Sequence, residues 1–228
     1  MHPTAMLNAK MFFDCYGTSF SSGTVLDIGA QDVNGSIRTV CPAQFTYTGV
    51  DFVEGKGVDV CLEDPYHLPF ADQSIDIVVS SSCFEHAELF WVLFLEIMRV
   101  LKAPGLFYLN APSNGEVHRY PLDCWRFYPD SGKALVTWAR RNGFDAALIE
   151  SYTSKQIGDV WNDYVAVFLK GAAFASVFPQ RITDDFHAFT NGMALGRSDV
   201  LNPQRYPEDM DKLTLISDLI SNKITVNR

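Results

Sequence analysis

The chain is short of positive charge. Its 228 residues carry 18 Lys and Arg against 27 Asp and Glu, a formal net charge of −9, and no basic cluster stands out. A protein that holds a phosphate backbone needs a basic face, so no nucleic acid partner is expected. Paired cysteines are lacking too. Cys15, Cys41, Cys61, Cys83 and Cys124 are scattered, odd in number and never spaced as CxxC. That argues against a disulfide framework or a zinc site and fits a reducing, cytoplasmic setting. No apolar run reaches the ~18 residues that a membrane span needs. The N-terminus has no basic segment followed by an apolar core, so a signal peptide is not expected either. Internal repeats and low-complexity tracts are missing as well.

What is there reads as a folded α/β domain. Hydrophobic residues make up 47% and charged residues 20%, a globular rather than disordered balance. The chain is long enough for one substantial core with an added tail. It is organised around Val25-Leu26-Asp27-Ile28-Gly29-Ala30-Gln31-Asp32-Val33-Asn34-Gly35-Ser36. A short apolar run containing an acid turns there through two glycines, as a buried parallel strand does when it hands over to a loop that approaches a ligand. A second strand, Tyr47-Thr48-Gly49-Val50-Asp51, ends in another acid about twenty residues on. In a nucleotide-binding α/β unit an acid at that place accepts hydrogen bonds from ribose hydroxyls.

In order, the pattern predicts a helix within residues 1–24 against the domain edge, and strands at 24–28, 45–51, 58–62, 74–80 and 106–110. A strand pair at 144–152 and 161–170 closes the unit. Helices are predicted within 32–41, at 85–102 and at 130–142, the last with Gly143 at its C-cap. Alternation of this kind gives a mostly parallel sheet. On 85–102 the apolar residues sweep roughly 200°, wider than the ~100° a sheet-packed helix needs. Phe90, Trp91 and Phe94 therefore call for cover from the tail or a second subunit. Residues 171–228 lie outside the pattern and end in an amphipathic helix carrying Met210, Leu213, Ile216, Leu219 and Ile220. The expected division is a domain at 1–170 and an extension at 171–228 that covers the cleft or makes a homodimer contact.

The ordered set of motifs resembles the class I S-adenosylmethionine-dependent methyltransferases. The likeness rests on Val25-Leu26-Asp27-Ile28-Gly29, Gly49-Val50-Asp51, and Asp64 followed by Leu68-Pro69-Phe70. It continues through residues 72–79, Glu85-His86, and Glu96-Ile97-Met98-Arg99-Val100-Leu101-Lys102, and covers roughly residues 20–170. The resemblance implies a Rossmann-like, seven-stranded, mostly parallel sheet with its last strand antiparallel and helices on both faces, plus the C-terminal helical extension. It also implies an S-adenosyl-L-methionine cofactor across the carboxyl ends of the first strands. Carried onto this chain, Asp27 and Gly29 would line the methionine and sugar region, Asp51 would hold the ribose hydroxyls and Phe52 would lie beside the adenine. Asp64 would face the adenine amino group, and Ser80 to Ser82 would line the methyl-transfer mouth. Two departures from the family pattern stand in the chain. Gln31 replaces a loop glycine and offers its side chain instead, and Pro65 has no N–H to give the base.

The most unusual stretch, residues 110–129, follows the fifth predicted strand at the end of the sheet where acceptors bind. His118, Arg119, Tyr120, Asp123, Trp125 and Arg126 could form an acceptor wall, since aromatic faces beside Asp, Arg and His suit a sugar or another polar small molecule. The alternative is a packed loop in which Asp123 pairs with Arg126 and Trp125 fills the core. The expected activity is methyl transfer to a small polar acceptor, with O-methylation of a sugar or glycan precursor leading and N-methylation of a small molecule behind it. His118 or His86 is the expected general base, and Asp123 either orients it or takes the proton itself. Glu85-His86 could equally be a helix-start acid and an ordinary histidine. No spaced ligand set marks a metal site. Two other classes stay open. One is a nicotinamide-dependent oxidoreductase, against which the first loop lacks GxGxxG; the other is a binding module that has kept the fold without turnover.

Overall fold

The computed structural model describes residues 1–225; residues 226–228, the end of the extension, lie outside the described residues. The sheet is built from β1 (Gly23–Ile28), β2 (Phe45–Asp51), β3 (Val60–Cys61), β4 (Ile75–Ser81), β5 (Leu101–Pro112), β6 (Ala146–Ser154), β7 (Asp163–Lys170) and β8 (Phe189–Ala194). Their order is β3-β2-β1-β4-β5-β7-β6-β8. β1 to β5 run parallel, while β7 is antiparallel to both β5 and β6. β8, from residues beyond 170, adds an eighth strand antiparallel to β6. The strand order reverses between β1 and β4, so a crevice opens at the carboxyl ends of β1, β2 and β4, where open α/β sheets bind ligands.

Helix α1 (Pro3–Tyr16) packs on one face of the sheet, not at its edge: Ala9, Phe12, Phe13 and Tyr16 join Val25, Val79 and Tyr108 in one core. The other face carries α2 (Phe90–Val100) and α3 (Ser131–Arg141). The C-terminal segment is tied to the α1 face through the buried Glu150 of β6. Its oxygens accept from Tyr16 Oη at 2.5 Å, from the Ile182 N–H at 2.7 Å, and from Thr183 through both the amide and the hydroxyl. Ile182 and Thr183 open the short helix α4 (Ile182–Asp185). Helix α5 (Glu208–Ile220) attaches by its first turn. Glu208 accepts from the Gln156 amide and Asn162 Nδ2, while Met210, Leu213, Ile216 and Ile220 stay exposed.

Several elements are shorter or longer than the sequence pattern suggests, each for a local reason. Helix α2 starts at Phe90 instead of 85, because the Glu85 carbonyl accepts from the Cys124 and Trp125 amides at 2.7 and 3.1 Å. The Leu89 amide, its partner in a regular helix, donates to Tyr66 Oη instead. Helix α2 also stops at Val100, since Leu101 pairs with Ile75 and lengthens β5. Residues 32–41 give only a 3-10 turn at Ile37–Thr39, because Asp32 Oδ1 takes the Gly35 amide and Ser36 caps Arg38. Strand β3 shrinks to two residues where the Asp59 amide still donates to the Gly49 carbonyl but the Gly49 N–H goes to the Asp59 carboxylate instead of a main-chain oxygen. Within the chain, the wide apolar arc of α2 is covered by the sheet and by the loop of residues 111–129. Phe94 is buried against Phe107 and Phe168, and Phe90 and Trp91 lie under Trp125 and Phe127 of the loop. Trp138 of α3 closes the far side, donating to the Trp91 carbonyl.

The motif residues Glu96 and Arg99 act as a clip. The Glu96 carboxylate accepts the Leu68 amide at 3.0 Å, and Arg99 donates to the Leu68 and Phe70 carbonyls and to Glu96 and Asp72. The Leu68-Pro69-Phe70 segment, which has no regular structure of its own, is thereby fixed to α2. We expect Arg99→Ala to cost about 2 kcal/mol, the range for hydrogen bonds to a charged group that leave main-chain acceptors unpaired. Arg141→Ala, on an exposed position of α3, should stay within about 0.5 kcal/mol. Urea unfolding of the two variants checks this; equal losses would mean that the clip adds nothing to stability.

Candidate active site

A cleft of about 820 Å³ lies at the carboxyl ends of β1, β2 and β4, within the ~300–1,000 Å³ of small-molecule sites. Its floor is the Asp27–Gln31 turn, where the Gly29 and Ala30 amides donate to the Val50 carbonyl at 3.0 and 3.1 Å. Gly29 has φ +80°, and a Cβ there would come within 2.6 Å of Cys83 Cβ, so only glycine fits. Asp51 closes β2 with its carboxylate accepting from the Gln31 and Val53 amides at 3.3 and 3.2 Å. Phe52 lines the same wall with its ring 46% exposed. Asp27 is buried and accepts from Tyr47 Oη at 2.6 Å; the Arg38 guanidinium stacks over that tyrosine ring.

The other wall follows β4. Ser82 sits in the left-handed region at φ +53° and donates its amide to the Asn110 carbonyl, turning the chain toward Glu85 and His86. Glu85 is 1% exposed, and neither of its side-chain oxygens has a hydrogen-bond partner among the described residues. Burial pushes its carboxyl up to about 8; Asp163 and Asp123 add to the rise and Arg126 opposes it. His86 donates Nδ1–H to the Leu122 carbonyl; burial lowers its pKa, and that hydrogen bond opposes the shift. His118 stands edge-on to His86 at 5.0 Å, with its Nδ1 3.3 Å from the Glu116 carbonyl. The Nε2 atoms of His86 and His118 lie 3.7 and 4.0 Å from Glu85 Oε1.

The loop that carries His118 is held from several sides. The Ser113 amide donates to Asn162, the Phe127 amide to Pro112, and Trp125 Nε1 to the Ala87 carbonyl at 3.0 Å. Gly115 lies on Trp161 so closely that a Cβ would fall 1.9 Å from the indole. Asp123 and Arg126 pair with each other in a two-pronged ion pair, and Asp123 also accepts the His118 amide at 2.8 Å. The Arg126 guanidinium holds the Asp123 carboxyl down at about 2, so it stays ionised and cannot take up a proton near neutral pH.

Of the residues singled out in the sequence, Asp27, Gly29, Gln31, Asp51, Phe52, His86, His118, Arg119 and Tyr120 meet in this cleft. The others are elsewhere. Asp64 is exposed and its carboxylate accepts the Tyr66 amide, while Pro65 and Tyr66 line the wall. Ser80 is buried and ties β4 to β1 through the Ile28 carbonyl; Ser81 and Ser82 line the mouth. Asp123, Trp125 and Arg126 brace the loop behind the lining. The cleft also contains groups that the sequence pattern did not single out, His2, Tyr66 and Trp161. His2 is held by Asp159 at 3.0 Å and lies 3.4 Å from Asp163. Burial works against its charged form, yet those two carboxylates raise its pKa. No periodicity marks a residue placed ahead of the first helix, so only the fold reveals it.

A family model described as a methyltransferase domain matches residues 19–109. An uncharacterized methyltransferase of Mycobacterium tuberculosis is 32% identical over 136 residues, 58% of this chain and 48% of that protein. A counterpart in Mycobacterium avium is 29% identical over the same length. The chain thus spans about half the length of the curated relatives it matches. Among solved structures, the 1,6-didemethyltoxoflavin-N1-methyltransferase of Burkholderia thailandensis, crystallised with 1,6-didemethyltoxoflavin and S-adenosylhomocysteine, superposes with a TM-score of 0.55. It covers 73% of this chain and 78% of that one at 18% identity. The [4+2]-cyclase SpnF superposes with a TM-score of 0.53 over 72% and 81% of the two chains at 14% identity. Likeness at these identities concerns the fold alone.

Burial pushes the Asp27 carboxyl up to about 7, against the Tyr47 hydrogen bond and the Arg38 charge and with help from Asp51. Unfolded, it titrates near 4. Between about pH 4 and pH 7 the folded chain keeps a proton that the unfolded chain has lost, so this group makes stability fall as pH rises. Asp27→Asn, which still offers Tyr47 an acceptor, should gain stability relative to wild type between about pH 5 and pH 8. Urea unfolding of cofactor-free protein at both pH values checks it; parallel slopes would mean that Asp27 is ionised in the fold.

Proposed function

We propose that the chain is a class I S-adenosylmethionine-dependent methyltransferase with S-adenosylmethionine as cofactor, a reading supported by the family-model match and the methyltransferase relatives, and that it methylates a hydroxyl of a small polar acceptor, a sugar or glycan precursor. The cleft fits an adenosyl group. Gly29 lets the chain turn beneath the cleft at a left-handed φ hard against Cys83, the Asp51 carboxylate is fixed by two amides at the end of β2, and Phe52 is exposed beside it. Asp51 would take the ribose hydroxyls, Phe52 the adenine, and Asp27, Gly29 and Gln31 the methionine and sugar region. Bound there, the cofactor supplies a methyl group made electrophilic by its sulfonium.

The observation that carries the hydroxyl reading is the trio Glu85, His86 and His118. The Glu85 carboxyl and the Nε2 atoms of both histidines converge at the mouth. A hydroxyl must lose a proton as it is methylated, and the chain supplies acceptors for it where the aligned acceptor would lie. His118 Nε2 is the proposed base, with its ring set by the Glu116 carbonyl and its amide by Asp123. An amine, already neutral, would leave the trio without a task. Arg119 and Tyr120 on the rim, together with the Trp161 indole, offer the polar and aromatic surface a sugar uses.

Calorimetric titration with S-adenosylhomocysteine tests the cofactor half. Wild type should bind in the micromolar range, Asp51→Ala roughly tenfold or more weakly, and NAD not at all, since one lost charge-assisted hydrogen bond is worth about 1.5–3 kcal/mol. A hydroxyl panel tests the acceptor half. His118→Gln should keep S-adenosylhomocysteine affinity and lower kcat by about a hundredfold, the scale of a lost general base. Amines turning over faster than hydroxyls would overturn the hydroxyl reading, and binding without any turnover across both panels would favour a binding module.

A further inference from the structure

The trio at the cleft mouth has a feature that a base alone does not use. One ring nitrogen of His86, one of His118 and a side-chain oxygen of Glu85 all lie within 4.8 Å of one another, and both Nε2 atoms face Glu85 Oε1. We propose that these three residues form a binding site for a first-row divalent transition-metal cation. At 3.7 and 4.0 Å from Glu85 Oε1 the rings are too far for hydrogen bonds to it. Ligands at about 2.1 Å around one cation stand roughly 3.0–3.4 Å apart, so small side-chain rotations would close the set.

Two independent observations support a cation here. Glu85 is 1% exposed with both oxygens unpartnered, and a buried carboxylate in that state is costly unless a cation or proton meets it. The rings are also set for ligation. His86 Nδ1–H is spent on the Leu122 carbonyl and His118 Nδ1 faces the Glu116 carbonyl, which leaves both Nε2 lone pairs free toward Glu85. Outer hydrogen bonds of this kind fix the tautomer of metal-binding histidines. Two imidazoles and one carboxylate suit Zn²⁺, Fe²⁺ or Co²⁺ and leave coordination positions open, here toward the cleft.

The consequence for chemistry rests on the methyl-transfer reading; the binding itself does not. With a cation in place His118 Nε2 is a ligand, and the base role proposed for it above belongs to the cation-free protein. A hydroxyl oxygen of the acceptor at an open position would then become more acidic by coordination and lose its proton to water in the cleft.

The test is titration of chelator-stripped protein with Co²⁺, read by its visible ligand-field absorption, and with Zn²⁺, read by calorimetry. Wild type should bind one equivalent of either. Glu85→Gln and His118→Gln should bind roughly tenfold or more weakly, while His67→Gln, on an exposed histidine away from the cleft, should match wild type. Because His118 is on a loop, its variant guards against a folding failure in Glu85→Gln, and circular dichroism checks both. No stoichiometric binding, or equal binding in all variants, overturns the site. S-adenosylhomocysteine titration of the same samples separates the two readings. Cation binding without it leaves the metal site standing and the cofactor reading fallen; the converse removes the metal site alone.

Discussion

One main-chain oxygen decides the shape of the cleft. The Glu85 carbonyl accepts two amides, from Cys124 and Trp125, and a carbonyl used that way cannot also carry a helix. The helix therefore begins five residues later, and residues 83–89 stay as a turn that faces the crevice. The same pair of bonds pulls the 111–129 loop back across the sheet end. His118 is thereby brought beside His86, and Trp125 is laid over the apolar arc of α2. Cleft geometry and helix packing are set by a single clamp. That is why the loop is aromatic on one side and polar on the other.

The two halves of the cleft are built on different principles. The half at β1 and β2 uses backbone: amides on the Val50 carbonyl, amides on the Asp51 carboxylate, and a glycine where no side chain fits. Strands fix those groups, and the whole sheet core must move before they can. The half at β4 and the loop uses side chains that are poorly satisfied. Glu85 is buried without a partner, beside an Asp123 whose charge is already taken by Arg126. Burial of an unpaired acid is a cost that packing alone does not return. Such groups persist where a ligand, proton or cation completes them.

The fold of the half at β1 and β2 was legible in the sequence because its signals are local. An apolar run, an acid and a glycine at fixed spacing name the β1 turn, and a second acid ends β2; β2 begins and ends at the residues that the pattern marks. The sheet class followed from alternation alone. Helix 85–102 was misjudged at both ends because its competitors are tertiary: a loop amide pair at one end, the Leu101–Ile75 pairing at the other. Strand β8 was missed for a similar reason. Phe189-Thr190-Asn191-Gly192-Met193-Ala194 has little alternation, and Asn191 at φ +51° breaks its regularity, so only the β6 edge makes it a strand. The trio was legible in its members but not as a set. Glu85 and His86 are adjacent, whereas His118 is far along the chain, and no ligand spacing connects them.

The same division explains where specificity can reside. Changes in the β1 and β2 half would disturb strands that the whole core leans on, since Val50 and Ile28 are buried in it. The loop is different: it is tied down at its two ends, by Pro112 to Phe127 and by Ser113 to Asn162, and by Gly115 seated on Trp161. Between those anchors Val117, Arg119, Tyr120 and Leu122 are exposed and carry little of the fold. Their side chains can vary without releasing the clamp, because the clamp uses only main-chain atoms. A rigid β1–β2 floor under a loop anchored by its backbone lets the exposed side chains change while the position of His118, and of the groups it faces, does not.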